Sequence, residues 1–460
     1  MKTNHQILKE LNDLEIKNQI YEVNVKNNIS LYRLVRFNIR VKYLNENNGF
    51  TNKTENSELK ISELLKYFFI SLFQLFRLIT SSNKIDNFVF AFPRLFNTGN
   101  EFIDKFTDPV LEFSELKDNT IIFQHSFGNP HLNPRKNNNK VVYADFIDIV
   151  AKFISLLTYK INVNKYRIEI DDLQKKINLI YGKDFISKKE IALSLTRFLV
   201  YIFFYKQIIK IVKPNNIFLV SREVFKFISY LGKQNNIKVF EFQHGITQTE
   251  TPFYTGPYLE NMDPDYFLVF GEAWKNDFYG IPKDKIINIG WAYKDYVQKI
   301  MESNQKQISN KILVISSPAI TDKILSFVID AINFNSLFEF DIRLHPQEKL
   351  SINQLNSIEK HKNITISNNK EDSIFAIQKY NTVIGDNSSV LYEALSMGKN
   401  VGKINMNQIF SRNLEEDIRN GFFIINTFID IPTNQINHNK QTSEYFYSNF
   451  NQDIFNTLIK

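Results

Sequence analysis

From residue 87 onward, short apolar runs alternate with longer stretches in which apolar residues recur at helical spacing. The runs predict strands at 87–92, 120–124, 217–220, 239–242 and 266–270, with helices near 146–160, 187–212 and 222–235. The alternation is cleaner in the second half. There the pattern predicts strands at 312–316, 338–343, 364–366, 382–384 and 401–404, and helices near 321–334, 350–361, 372–380 and 389–397. Strands separated by helices of this length form βαβ units and parallel sheets, so the fold class is α/β. Two such blocks, divided near 281–295, predict two doubly wound, Rossmann-like domains facing each other across a cleft. The expected units are 1–280 with a helical N-terminal segment, 281–430, and a helical tail, 431–460, packing back on the first. The first 60 residues are polar with helical patches, 45–57 reads as a loop, and no 20–50-residue repeat is visible.

Composition narrows the picture. The chain has 460 residues, 43% hydrophobic and 23% charged, which excludes wholesale disorder. With 42 Phe and 21 Tyr against 14 Gly and 12 Pro, it favours long regular elements around a bulky core. Cysteine is absent, which removes disulfides, thiolate metal sites and Cys nucleophiles. The net charge of +7 is compatible with phosphate ligands or an anionic membrane face. Without a basic run or a nucleic-acid module, no nucleic-acid partner is expected. The first residues lack a signal peptide's apolar core, so the expected location is cytoplasmic. Two apolar stretches, 64–79 and 195–212, are broken by charge and read as amphipathic or buried helices. The first also fits a peripheral membrane contact, with Lys66 and Arg77 meeting headgroups.

In doubly wound sheets, ligands bind beyond the carboxyl ends of the strands. Three predicted strands end in distinctive residues: Gln243-His244-Gly245, then His345-Pro346, then Gly385-Asp386-Asn387-Ser388-Ser389 with Glu393 one turn into the following helix. Gly385 permits a tight turn, and Ser388 and Ser389 stand at a helix N-terminus whose unpaired N–H groups suit phosphate. Ordinary N-capping also uses Asp, Asn and Ser, and both readings stay open. Glu393 could accept from ribose hydroxyls or complement the helix dipole. A histidine at the end of a strand, as at His345, can donate to a phosphate and protonate a leaving group. Only seven histidines occur in the chain. Two of them, His244 and His345, fall at strand ends in facing domains.

Other signatures are missing. There is no Walker A, GxGxxG, HExxH, EF-hand or GxSxG motif, and no metal site is expected. Asp171-Asp172 and Asp263-Pro264-Asp265 are paired carboxylates whose plainer reading is a solvated helix start or loop.

The order QHG (Gln243–Gly245), HP (His345-Pro346) and GDNSS-x3-E (Gly385–Glu393) resembles bacterial surface-polysaccharide glycosyltransferases of the GT-B fold. The pattern is similar to capsule and lipopolysaccharide enzymes that use CMP-linked sialic acid or Kdo, and to CDP-glycerol glycerophosphotransferases of teichoic-acid synthesis. It covers about residues 215–425. The resemblance implies that 1–280 is the acceptor side and 281–430 binds the nucleotide donor. His345 and Pro346, with Gly385, Asn387, Ser388 and Ser389, would hold the donor phosphate, and Glu393 the ribose. Gln243 and Gly245 would lie on the acceptor side, with His244 facing the cleft. Such enzymes stabilise the leaving nucleotide without metal or cofactor. Sialyltransferases carry their base in an acidic-acidic-Gly motif; here Asp171-Asp172 is followed by Leu173, so Asp171, Asp172 and His244 are the candidates.

The expected function is transfer of a sugar, CMP-linked, from a nucleotide donor to a surface glycan. The alternatives are a CDP-polyol phosphotransferase and a non-catalytic nucleotide- or carbohydrate-binding assembly protein.

Overall fold

The computed structural model describes residues 4–48, 61–127, 129–246, 254–275, 280–302, 309–317, 320–345, 348–367, 371–386, 388–405, 414–431 and 444–460. The first sheet has seven strands, β1 (Asn87–Phe90), β2 (Thr120–Gln124), β3 (Val141–Tyr143), β4 (Asn216–Val220), β5 (Lys238–Phe242), β6 (Tyr266–Val269) and β7 (Ile286–Asn288). All pair in parallel, in the order β7-β6-β5-β4-β1-β2-β3. Side chains alternate between the faces. Phe88, Phe90, Ile217 and Leu219 meet one core, and Val89, Phe218 and Val220 meet the other.

The helices of this unit are α1 (Asn4–Lys17), α2 (Leu31–Asn48), α3 (Ile61–Thr80), α4 (Asp108–Phe113), α5 (Asp145–Lys165), α6 (Arg167–Tyr181), α7 (Lys188–Val212), α8 (Lys226–Gln234) and α9 (Ala292–Glu302). A reciprocal capping box between Ser187 and Glu190 starts α7, and Lys213 ends it in the left-handed conformation. This helix is long and apolar enough to cross a membrane, yet it packs along α5 and α8 with Ile191, Tyr201, Tyr205, Ile208 and Ile209 in the core.

The second sheet holds β8 (Ser309–Ile315), β9 (Phe340–Arg343), β10 (Ile364–Ile366), β11 (Tyr380–Gly385), β12 (Asn400–Ile404) and β13 (Phe423–Ile425), again parallel, in the order β10-β9-β8-β11-β12-β13. Around it lie α10 (Thr321–Phe334), α11 (Ile352–Glu359), α12 (Ser373–Ile377), α13 (Ser389–Ser396) and α14 (Leu414–Arg419). The structure therefore has the expected α/β class, with two doubly wound parallel sheets in a GT-B-like arrangement.

The first unit runs past residue 280. β7 pairs with β6 through Phe267↔Ile286, and α9 packs on α4, so both belong with the first sheet. The final segment returns to this sheet through Ser448 N–H to the Phe270 carbonyl (2.9 Å) and Asn451 N–H to the Ile289 carbonyl (2.8 Å). Its helix α15 (Gln452–Ile459) sets Phe455 against Phe218 and Phe242. Gly290, at φ +73°, permits the crossing, because a Cβ there would lie 1.9 Å from the Asn449 carbonyl oxygen.

Candidate functional site

Strand order reverses between β1 and β4 in the first sheet and between β8 and β11 in the second, and such switch points open the crevices where ligands sit. In the second sheet Gly385, the last residue of β11, lies so close to β8 that a Cβ would stand 3.0 Å from the Ile315 carbonyl oxygen. His345 and Ser388 follow β9 and β11, which flank β8. Two strand spacings put their strand ends about 10 Å apart. Pro346 and Asn387 lie outside the described residues.

Glu348 organises the His345 turn. One carboxylate oxygen accepts from the hydroxyls of Ser316 (2.7 Å) and Thr321 (2.6 Å), and the other accepts from His345 N–H (2.9 Å). The turn after β9 is thereby tied to the end of β8. The His345 ring is half-buried, and desolvation, with the Arg94 guanidinium, holds it below the ordinary histidine value while Glu348 opposes them. Arg94 belongs to the first unit, in the loop after β1.

Ser388 is an N-cap in extended conformation, its hydroxyl accepting from Val390 N–H at 3.3 Å. Capping thus accounts for its side chain in this structure, and Ser389 begins α13, half-buried. Glu393 is turned away from that helix start. Its carboxylate is buried between Lys105 of the first unit (3.2 Å) and Ser373 (3.0 Å), where burial and Asp372 push its pKa up and Lys105 opposes them. One oxygen serves the contact between domains and the other accepts from Ser373 of its own unit, so the ribose role expected for Glu393 has no support in this geometry.

In the first unit, the end of β5 is built around Gln243. Its amide donates to the Gly245 carbonyl (2.7 Å) and its oxygen accepts from Phe270 N–H (2.9 Å), clasping β5 to β6. Gln243 and Gly245 shape the turn that presents His244. The His244 ring stacks on Phe92 (centroids 5.4 Å) and meets the edge of Phe106. Tyr254 OH lies 2.6 Å from its Nδ1 and also accepts the His244 backbone N–H at 3.4 Å. Desolvation takes the imidazole down to about 4, so it is neutral at pH 7 and a poor base.

A buried ionic network holds the segment that carries Tyr254. Arg33 pairs with Glu223 (3.0 Å) and Asp263, Arg36 with Glu223, and Arg222 with Glu241 (2.7 Å) and Asp263 (3.5 Å). Arg36 also donates to the Thr255 carbonyl at 2.5 Å. Asp263 is thus a buried partner of two arginines, contrary to the solvated-loop reading, while Asp265 pairs with Lys233. Nothing local marked this network, since Arg33 and Asp263 are 230 residues apart.

A second buried cluster sits at the ends of β2 and β3. His125 contacts Asp148 (2.7 Å) and Tyr205 OH (2.8 Å), and Asp145 accepts from Ser126 (2.8 Å) and contacts His131 (2.9 Å). The repeated Gln-His dipeptide, Gln124-His125 and Gln243-His244, is the sequence signal that could have found it. Asp171 and Asp172 lie elsewhere. They are on α6, paired with Lys188 and Lys176 at the surface, and α6 packs on α1, α2, α5 and α7. The structure does not bring them to the other site residues. Cavities of about 750 and 450 Å3 open at the opposite, amino edge of the first sheet, near Lys233 and Leu259 and near Ile85 and Thr120.

The segment 92–106 is the common wall. Phe92 and Phe106 pack on His244, Arg94 acts on His345, and Lys105 reaches Glu393. It thus borders the strand-end chemistry of both sheets.

No family model matches the sequence, and no curated protein matches it. Among solved structures, the chain is similar to a UDP-GlcNAc 2-epimerase of Methanocaldococcus jannaschii at 12% identity and a TM-score of 0.48, over 82% of this chain and 99% of that one. A UDP-GlcNAc 2-epimerase of Neisseria meningitidis bound to UDP-GlcNAc is 15% identical, with a TM-score of 0.45, over 82% and 91%. The glycotransferase of kitacinnamycin is 8% identical, with a TM-score of 0.41, over 79% and 90%. At these identities and scores the likenesses bear on no activity and on no residue of the site.

Proposed function

We propose that the protein binds a nucleotide-activated sugar in the cleft between its sheets and transfers the sugar to a glycan hydroxyl. The observation that carries this reading is the segment 92–106, which packs on His244 of one sheet and reaches Glu393 beside the other through Lys105. In the transfer, the bond from the sugar's anomeric carbon to the phosphate oxygen breaks and its electron pair stays on the phosphate. A new bond forms to the acceptor oxygen, whose proton leaves. The leaving phosphate would meet the His345 ring, the Arg94 charge and the N–H groups at the start of α13, all placed before charge develops. His244, neutral and held by Tyr254, would border the donor or acceptor. With its pKa near 4, it would not serve as the base. A CMP-linked donor is proposed on the sequence pattern.

The test is incubation with CMP-, UDP- and GDP-sugars and glycan acceptors, with free nucleotide and acceptor mass measured together. His345→Ala is expected to cut turnover by ~10²–10⁴-fold with the fold intact. Undiminished turnover would remove His345 from the site. An acceptor that gains phosphate along with the transferred group would replace glycosyl transfer with polyol-phosphate transfer.

A further inference from the structure

The helix α3 is apolar on both sides. Ser71, Leu75 and Leu78 are buried against the first unit, while Leu65, Phe69, Phe73 and Phe76 face outward on an arc of roughly 80° at 100° per residue. Phe69, Phe73 and Phe76 are 62%, 66% and 60% exposed. A helix apolar all round belongs in a core or against lipid. The same face continues sideways. α3 packs on α5, which exposes Leu157 and Ile161, and α5 packs along α7. A row of rings, Phe68 to Phe146 (5.2 Å) to Phe204 (5.7 Å), joins the three helices beneath it.

The charge on this layer is one-sided. Among its charged residues, α3 carries Lys66 and Arg77 with Glu63 as its one carboxylate. The exposed stretch of α5, 152–165, has Lys152, Lys160 and Lys165 and no acid. On α7, 197–211 has Arg197, Lys206 and Lys210, again without an acid. Eight cations against one carboxylate contrasts with 56 against 49 in the whole chain. On α3, Lys66 and Arg77 flank the same side of the apolar arc, the arrangement of helices that lie in a bilayer interface.

We propose that the α3–α5–α7 face docks on the surface of an anionic bilayer, with the α3 phenylalanines inserted and the lysines and arginines at the headgroups. A second copy of the chain fits this face poorly. A twofold contact sets the same patch against itself, which would oppose its cations with one another. The inference does not depend on which reaction the cleft performs.

Flotation of the purified full chain with vesicles tests it. Vesicles with about 30% phosphatidylglycerol are expected to carry at least about tenfold more protein than pure phosphatidylcholine, with the difference falling at high salt. Phe69→Ser with Phe73→Ser should abolish flotation, and Lys152→Glu with Lys160→Glu should abolish the preference for anionic lipid. These positions are exposed, and unchanged melting by circular dichroism checks that each variant folds. No flotation, equal flotation on neutral vesicles, or flotation undiminished in both variants would overturn the proposal. So would a dimer in sedimentation that the phenylalanine variant dissolves, since the face would then belong to a second copy.

Discussion

At the scale of single residues, Tyr254 decides what His244 can do. Its hydroxyl accepts the His244 backbone N–H and takes Nδ1, while burial keeps the ring neutral. In nitrogen NMR, His244 is expected to stay neutral across pH 5.5–8. A cationic ring at pH 6.5 would contradict this. His345 behaves differently because a ligand can change its charge. Desolvation and Arg94 hold its pKa down in the free protein, and a bound phosphate would raise it. Nucleotide affinity should therefore weaken as pH rises through the bound-state value, and His345→Gln should flatten that dependence. Glu223 sets acid stability. Against desolvation, Arg33 and Arg36 bring its carboxyl down to about 2 from an unfolded value of 4.5. Its stabilisation is present above pH 4.5 and lost as pH falls through about 2, on the order of 3 kcal/mol. Urea denaturation at stepped pH measures it, and Glu223→Gln should remove that part of the slope.

At the scale of elements, the tail shows how a short helix holds a sheet. Phe455 is fully buried against Phe218 and Phe242 on the far side of the chain. Phe455→Ala is expected to destabilise the protein by ~3–5 kcal/mol, read from denaturant midpoints, because the cavity opens under the centre of the first sheet. Elements with strong periodicity were legible in the sequence: β2, β10 and α10 fall on the spans that pattern alone assigns. The strands β3 and β7, no shorter than β10, were not read from pattern; their place is set by pairing with β2 and β6. Strand ends were legible as positions. Their partners were not: Arg94 acts on His345 from the other unit, and Tyr254 and Glu348, ten and three residues further on, are brought to His244 and His345 by turns the pattern does not show. Glu393 was misplaced for the same reason: Lys105, 288 residues away, claims its carboxylate.

At the scale of the whole molecule, the two sheets share an apolar core. One cluster of buried side chains runs from Val89 and Phe218 of the first unit through Trp274 and Phe446 to Tyr392 and Leu313 of the second. Trp274 lies 5.8 Å from Tyr392 and 5.4 Å from Phe446, so a tail residue is packed into the junction. Both tryptophans of the chain, Trp274 and Trp291, sit in this cluster. Tryptophan fluorescence and circular dichroism should therefore report one coincident unfolding transition; two separated transitions would show that the shared core does not couple the units. The claim that the cleft holds a nucleotide is tested most directly by melting the protein with CMP, CDP, UDP, GDP and ADP, and repeating the series with His345→Ala. A ligand at 100 times its dissociation constant should add about 2.7 kcal/mol to wild-type stability. A shift with cytidine nucleotides that disappears in His345→Ala is the result this account predicts. No shift with any nucleotide, or a shift that survives the substitution in full, would contradict it.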